Sequence, residues 1–348
     1  MRPVRIHMAR GLSLAAALAV LAAAPASAQA PAPDAPAPAA PVSPQDDVNQ
    51  VSELVVVAHP QGPAMWRISY KGAEMTIMGS VQPILQQQKW DRRQMLAALD
   101  GARLVILPPK VGLDPLQILA LVTANLWRVR TLGELEPRLP PDLRARFEQA
   151  RMITQQPKSR YAHWKPAAAG FLLLSDSRHI HGFSMGKPGT TVEKLAKGMH
   201  IPTRAISNYS VNSLIALATR LDDRQNLECL GDTLAQAEYE HQHAGDLNDD
   251  WARGNVLAVN ARYRLPPLQR CLMLAPGARR EIDKAMAEAA DRLWAELQKP
   301  GRTVAVIDMA WLLPRDGLLD RLKARGATVA EPPQLTAAKA ETSDDDKD

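Results

Sequence analysis

The chain has 348 residues, 46% of them hydrophobic and only 4% aromatic, with a formal charge of +5. Three arginines sit in the first ten residues, and an acidic linker and an acidic tail each carry three net negative charges, so the intervening domain bears about +8. Its Lys and Arg are scattered singly along helical stretches rather than gathered with aromatics, which excludes a nucleic-acid stripe, and no apolar run reaches the roughly 20 residues of a membrane helix.

Arg2, Arg5 and Arg10 precede an uncharged apolar run from Gly11 to Ala24, and Ala26-Ser27-Ala28 supplies a small-x-small cleavage pattern. The reading is a signal peptide over 1–28, cut after Ala28, which places the mature protein in the periplasm or outside the cell with no transmembrane segment left. Residues 29–47 are mostly Pro and Ala, a spacer that buries no core. The folded domain is expected over 48–333, followed by a disordered acidic tail over 334–348.

Within the domain, short strands are expected at Leu54 to Ala58, Met65 to Tyr70 and Glu74 to Gly79, the last two joined by a tight turn at Lys71-Gly72. Arg92 to Leu99 has helical spacing, and Leu104 to Leu107 is a buried strand stopped by Pro108-Pro109. A long helical stretch follows, with Pro115 near one helix start and Pro140-Pro141-Asp142 opening another. Val192 to Met199 reads as helix and Thr203 to Ile206 as strand. Asn212 to Ala258 is helical with breaks near Leu221 and Gly245. Ile282, Met286, Ala289, Leu293 and Leu297 mark one face of a helix that Pro300-Gly301 stops. Val304 to Ile307 is a buried strand, Asp316 to Arg325 a helix with Gly326 as its cap, and Thr328 to Ala330 a final strand. Strands at both ends with helices between them imply an α/β fold: one domain with a central mixed β-sheet and a large helical insertion.

Three segments together resemble the TraB/GumN family, which includes the Tiki-like proteases. Ala64-Met65-Trp66-Arg67-Ile68 and Met75-Thr76-Ile77-Met78-Gly79-Ser80-Val81-Gln82 are similar to its opening hairpin, whose second strand ends in G-[ST]-x-H. Met185-Gly186-Lys187-Pro188-Gly189 through Ile201-Pro202 resembles its central stretch. Thr303-Val304-Ala305-Val306-Ile307 through Asp316-Gly317-Leu318-Leu319-Asp320-Arg321-Leu322 resembles its closing unit, a strand ending in G-x-x-H followed by D-G-[LV]-L. The resemblance implies a metal-dependent hydrolase built on the two histidines and on acids at neighbouring strand ends. Here Gln82 stands at the first histidine and Trp311 at the second, or Ala310 with a one-residue slip. The expected acids fall on Leu107 or Pro108 and on Ser207. An amide is a poor metal ligand and an indole nitrogen has no lone pair to give. The chain therefore reads as a pseudoenzyme, with no catalytic residue, no metal and no cofactor. Its remnant cleft is expected at Gly79, Ser80, Gln82, Asp308 and Trp311, at the strand ends where open α/β sheets place their clefts. The partner such a cleft implies is a small polar molecule or a peptide.

Two other readings remain open: a metal-dependent hydrolase or protease rebuilt from Asp308 with Asp249-Asp250 or the His179/His181 segment, and an envelope-associated scaffold in which linker and tail matter most. His179-Ile180-His181 and His241-Gln242-His243 read as surface histidines, because alternate residues on a helix point about 200° apart. Ser80 has no base that the sequence identifies. Most of the seven tryptophans are expected in the core. Cys229 and Cys271, the two cysteines of the chain, are expected to form a disulfide in an oxidising compartment, and closing that loop contributes on the order of 4 kcal/mol.

Overall fold

The hairpin opens the domain because its turn chemistry demands it. Strands β1 (Met65–Tyr70) and β2 (Ala73–Ser80) pair antiparallel from Tyr70↔Ala73 to Met65↔Met78, and the two turn residues, Lys71 and Gly72, both have positive φ. That combination is the two-residue turn whose twist matches flanking strands. The structure is a computed structural model that describes residues 62–108, 129–207, 220–263, 267–333 and 335. The expected signal peptide and linker, the tail apart from Leu335, the strand at Leu54 to Ala58 and the helix start at Pro115 lie outside the described residues, and Leu335, expected in a disordered tail, is helical and packs against the main core.

After β2 come β3 (Ile84–Leu85), α1 (Arg93–Leu99) and β4 (Ala102–Leu107). The insertion then supplies α2 (Pro141–Ile153), α3 (Pro166–Ile180), β5 (Phe183–Ser184) and α4 (Gly189–Gly198), leading to β6 (Thr203–Ala205). It continues with α5 (Asp223–Arg253), α6 (Val256–Arg262), α7 (Pro267–Leu274) and α8 (Ala278–Leu297). β7 (Gly301–Asp308), the single turn α9 (Met309–Leu312), α10 (Leu318–Ala324) and β8 (Thr328–Ala330) close the domain.

The main sheet has the order β6-β4-β7-β2-β1-β8. β6, β4, β7 and β2 run parallel, while β1 is antiparallel to both β2 and β8. This is the mixed sheet expected from the sequence, and the C-terminal β7 does return to its centre. Both faces are covered, so the central strands alternate apolar residues to two cores. Ala305 and Ile307 of β7 join Trp66, Ile77 and Ile106 under α8 and α10. Val304 and Val306 join Met78, Val105 and Leu107 under α1 and α4. A third core, with Phe147, Tyr161, Leu173, Leu230 and Leu234, belongs to the insertion alone. Among the described residues no helix is long and apolar enough to cross a membrane.

One local expectation needs correcting. The break at Gly245 is absent: α5 runs through it for 31 residues, held by a capping box between Asp222 and Gln225 and by the buried line Glu240, Ala244, Leu247, Asn248 and Trp251. A single glycine costs a helix only about 1 kcal/mol, less than that face gains by burial. The small β3–β5 pair, Ile84↔Ser184 and Leu85↔Phe183, is too short to leave a periodic trace in the sequence.

Candidate functional site

β2 and β7 end in register, Gly79 opposite Ile307 and Ser80 opposite Asp308, while the parallel β4 and β6 stop two residues short of them. Gly79 is needed there: a Cβ would stand 2.9 Å from the Trp66 ring and 3.0 Å from the Met309 methyl. Gln82 follows two residues past β2, joined to Pro83 by a cis peptide. The chain after it is pinned by α5, where buried Asn248 accepts from Leu85 N–H at 2.6 Å and donates to the Pro83 carbonyl at 3.2 Å. One turn on, Trp251 donates its indole N–H to the Gly79 carbonyl at 2.8 Å.

Asp308 carries the polar chemistry of this end of the sheet. Its carboxylate caps α9 by accepting from Ala310 N–H at 2.9 Å, and it accepts the Tyr263 hydroxyl at 2.8 and 3.0 Å to its two oxygens. The residue keeps some surface, yet its carboxyl lies among packed atoms, and burial pushes its pKa up to about 6 against the pull of Ala310 N–H and Tyr263. Burial, and then the Asp308 charge, hold the Tyr263 phenol well above its ordinary value, while a hydrogen bond with the Gln82 backbone opposes them.

Tyr263 divides two depressions. One is lined by Gln82, Gln236, Tyr239, Glu240 and Arg262 together with Tyr263. The other is larger, about 180 Å³ against about 10 Å³, between Val259 and Asn260 on one side and Met309, Ala310 and Leu313 on the other. Below the first, Glu240 accepts a bidentate pair from Arg178 at 2.9 and 2.6 Å and a third bond from Gln236 at 2.9 Å.

The sequence-predicted residues are therefore only partly together. Gly79, Ser80 and Asp308 meet at the strand ends and Gln82 reaches them through Tyr263. Trp311 is half-buried and packs against the main core cluster, away from an open cleft. Tyr263, Trp251, Arg178 and Glu240 were missed. The spacing of Glu240, Ala244, Leu247, Asn248 and Trp251 on one face of a helix was the available signal for two of them. The pentapeptide Gly182-Phe183-Ser184-Met185-Gly186 also has the G-x-S-x-G spacing of a nucleophile elbow. Ser184 pairs in β5, lies outside the positive-φ residues, and its hydroxyl accepts from the Gly186 and Lys187 amides at 3.3 Å, so it is not the strained turn that such an elbow requires.

A model of the TraB/PrgY/gumN family matches residues 64–331, from the lead-in of β1 to just past β8. The chain belongs to the TraB/PrgY/gumN family. No curated protein and no solved structure matches it. The resemblance implies a divalent metal at the strand ends, and the residues present do not fit one. Asp308 is a single carboxylate already engaged by Tyr263 and Ala310, Gln82 is a neutral amide, and Leu107 is apolar. The buried hydroxyls of Ser80 and Ser207, which have no hydrogen-bond partner among the described residues, are neutral. Among the described residues no three His, Cys, Asp or Glu side chains converge as a metal-binding set.

The raised value of Asp308 fixes the sign of a pH effect. A carboxyl with a folded pKa of about 6, against about 3.9 unfolded, binds its proton more tightly in the folded chain. That contribution is fully present below about pH 4 and is lost as pH rises through about 6. Asp308→Asn keeps an acceptor for Tyr263 and Ala310. Relative to the wild type it is expected to gain up to about 3 kcal/mol between pH 4 and pH 7.5 in urea unfolding. Parallel pH profiles for the two proteins would contradict the buried proton.

Proposed function

We propose that the chain is an exported, non-catalytic member of the TraB/PrgY/gumN family that acts by binding a small polar molecule or a peptide. The observation that carries this reading is the state of Asp308: the carboxylate that ends β7 is spent on Tyr263 and on the cap of α9. The ligand seat is the depression of about 180 Å³ beside Asp308, between Asn260, Tyr263, Met309, Ala310 and Leu313, which sets an amide and the edge of a phenol among apolar side chains. Hydroxyl and amide groups of a ligand are the chemistry it would take.

The test uses mature protein from the producing cell, metal analysis after dialysis and a peptide library. The expected result is no chelator-sensitive cleavage, and a metal content that Asp308→Asn leaves unchanged. A rebuilt hydrolase is the second reading, favoured by the pKa of Asp308 near 6 beside an accessible depression. Chelator-sensitive cleavage that Asp308→Asn abolishes would establish it in place of the first.

Export and the disulfide belong to the same proposal. Cys229 on α5 and Cys271 on α7 are both buried in one apolar cluster, and their sulfurs are in contact, which with burial raises the Cys271 thiol. Non-reducing intact-mass measurement is expected to find a chain that starts at Gln29 and is two hydrogens lighter than the dithiol. A chain that begins at Met1, or two thiols alkylated after denaturation without reductant, would refute the corresponding half.

A further inference from the structure

Two helices of the insertion bring His181, just past the end of α3, against His241 on α5, 60 residues away in sequence. We infer that these two imidazoles form a binding site for a divalent transition metal of the copper or nickel kind, away from the strand ends and independent of them. His241 Nδ1 lies 3.0 Å from His181 Nε2, and the ring centroids are 4.8 Å apart with planes at 58°, so the nitrogens meet at a slant. Two nitrogens each about 2.0–2.1 Å from one ion stand about 2.9 Å apart at a right angle and about 3.4 Å apart at the tetrahedral angle. The spacing is already that of adjacent positions on a square-planar or octahedral ion, the geometries that copper(II) and nickel(II) favour.

The protons are arranged for it as well. His181 Nδ1 lies 2.7 Å from the Ser177 carbonyl oxygen, which only accepts, so Nδ1 carries the proton and Nε2 presents its lone pair. A backbone carbonyl that fixes the tautomer of a ligating histidine is the usual outer support of a metal site. In the metal-free pair His241 Nδ1–H donates to that lone pair. On binding, the ion takes the place of this proton, which moves to Nε2 of His241, and both rings stay neutral. The pair opens onto a depression lined by Arg146, Ser177, Ala237 and Glu238. Glu238 is held by Arg146 at 3.1 and 3.0 Å, so the remaining positions on the ion go to water. His243 is directed elsewhere, with its Nδ1 3.1 Å from the Tyr239 carbonyl oxygen and its ring stacked on Tyr239 at 4.3 Å.

The experiment titrates copper(II) and nickel(II) into the full chain, read by calorimetry and by electron paramagnetic resonance of the copper form. One equivalent is expected, with a two-nitrogen signature and a raised melting temperature, since the ion binds the folded pair and not the separated histidines. His181→Ala and His241→Ala should each weaken binding on the order of tenfold or more, while His243→Ala changes nothing. Binding that survives the double variant, or a one-nitrogen signature, would overturn the site. Loss of binding in Asp308→Asn with the histidine variants intact would place the metal at the strand ends and overturn the non-catalytic reading too. Failure at the histidines alone leaves that reading standing.

Discussion

Trp251→Ala is expected to lower the free energy of unfolding by about 3–5 kcal/mol, the cost of deleting a fully buried aromatic side chain. Trp251 is 1% exposed and shares a cluster with Trp66 and Met309, with its ring edge-on to Trp90 at 5.9 Å and 68°. The indole also donates to the Gly79 carbonyl at the end of β2, so the same side chain docks α5 on the sheet and supports the strand end that carries Ser80 and Gln82. Trp251→Phe separates the two contributions. It keeps most of the packing and removes the hydrogen bond, and it should cost about 1–2 kcal/mol. Urea unfolding of both variants reads the difference. A Trp251→Ala protein within about 1 kcal/mol of the wild type would mean that α5 does not dock through this residue.

The sheet was legible in the sequence because its strands obey simple rules. Val304 to Ile307 is a continuous apolar run, and such runs mark strands covered on both faces, as β7 is. Lys71-Gly72 placed the hairpin turn, and Pro300-Gly301 placed the boundary between α8 and β7. The family motifs located Gly79, Ser80 and Asp308 at adjoining strand ends, where β2 and β7 do finish in register. Less was legible in the insertion, where function depends on which helix faces meet. His181 and His241 looked like unrelated surface residues because the sequence pairs each with its neighbour two positions away. Their true partners are each other, set by how α3 packs against α5, and no local pattern encodes that distance. Tyr263 escaped for a related reason. It lies between α6 and α7, and its importance comes entirely from the carboxylate 45 residues further on that it binds.

Arg178→Ala is expected to cost about 3–5 kcal/mol, because it leaves the Glu240 carboxylate uncompensated in a nearly dry setting. The two side chains are 16% and 6% exposed, joined by two bonds at 2.9 and 2.6 Å, with Gln236 satisfying Glu240 a third time. The loss is mostly the stranded charge rather than a missing attraction, since such a pair barely repays its own desolvation. Replacing both members should therefore recover most of it: Arg178→Met with Glu240→Leu is expected within about 1–2 kcal/mol of the wild type in urea unfolding. A double variant as unstable as the single one would show that the geometry of the pair, and not the buried charge, holds α3 on α5.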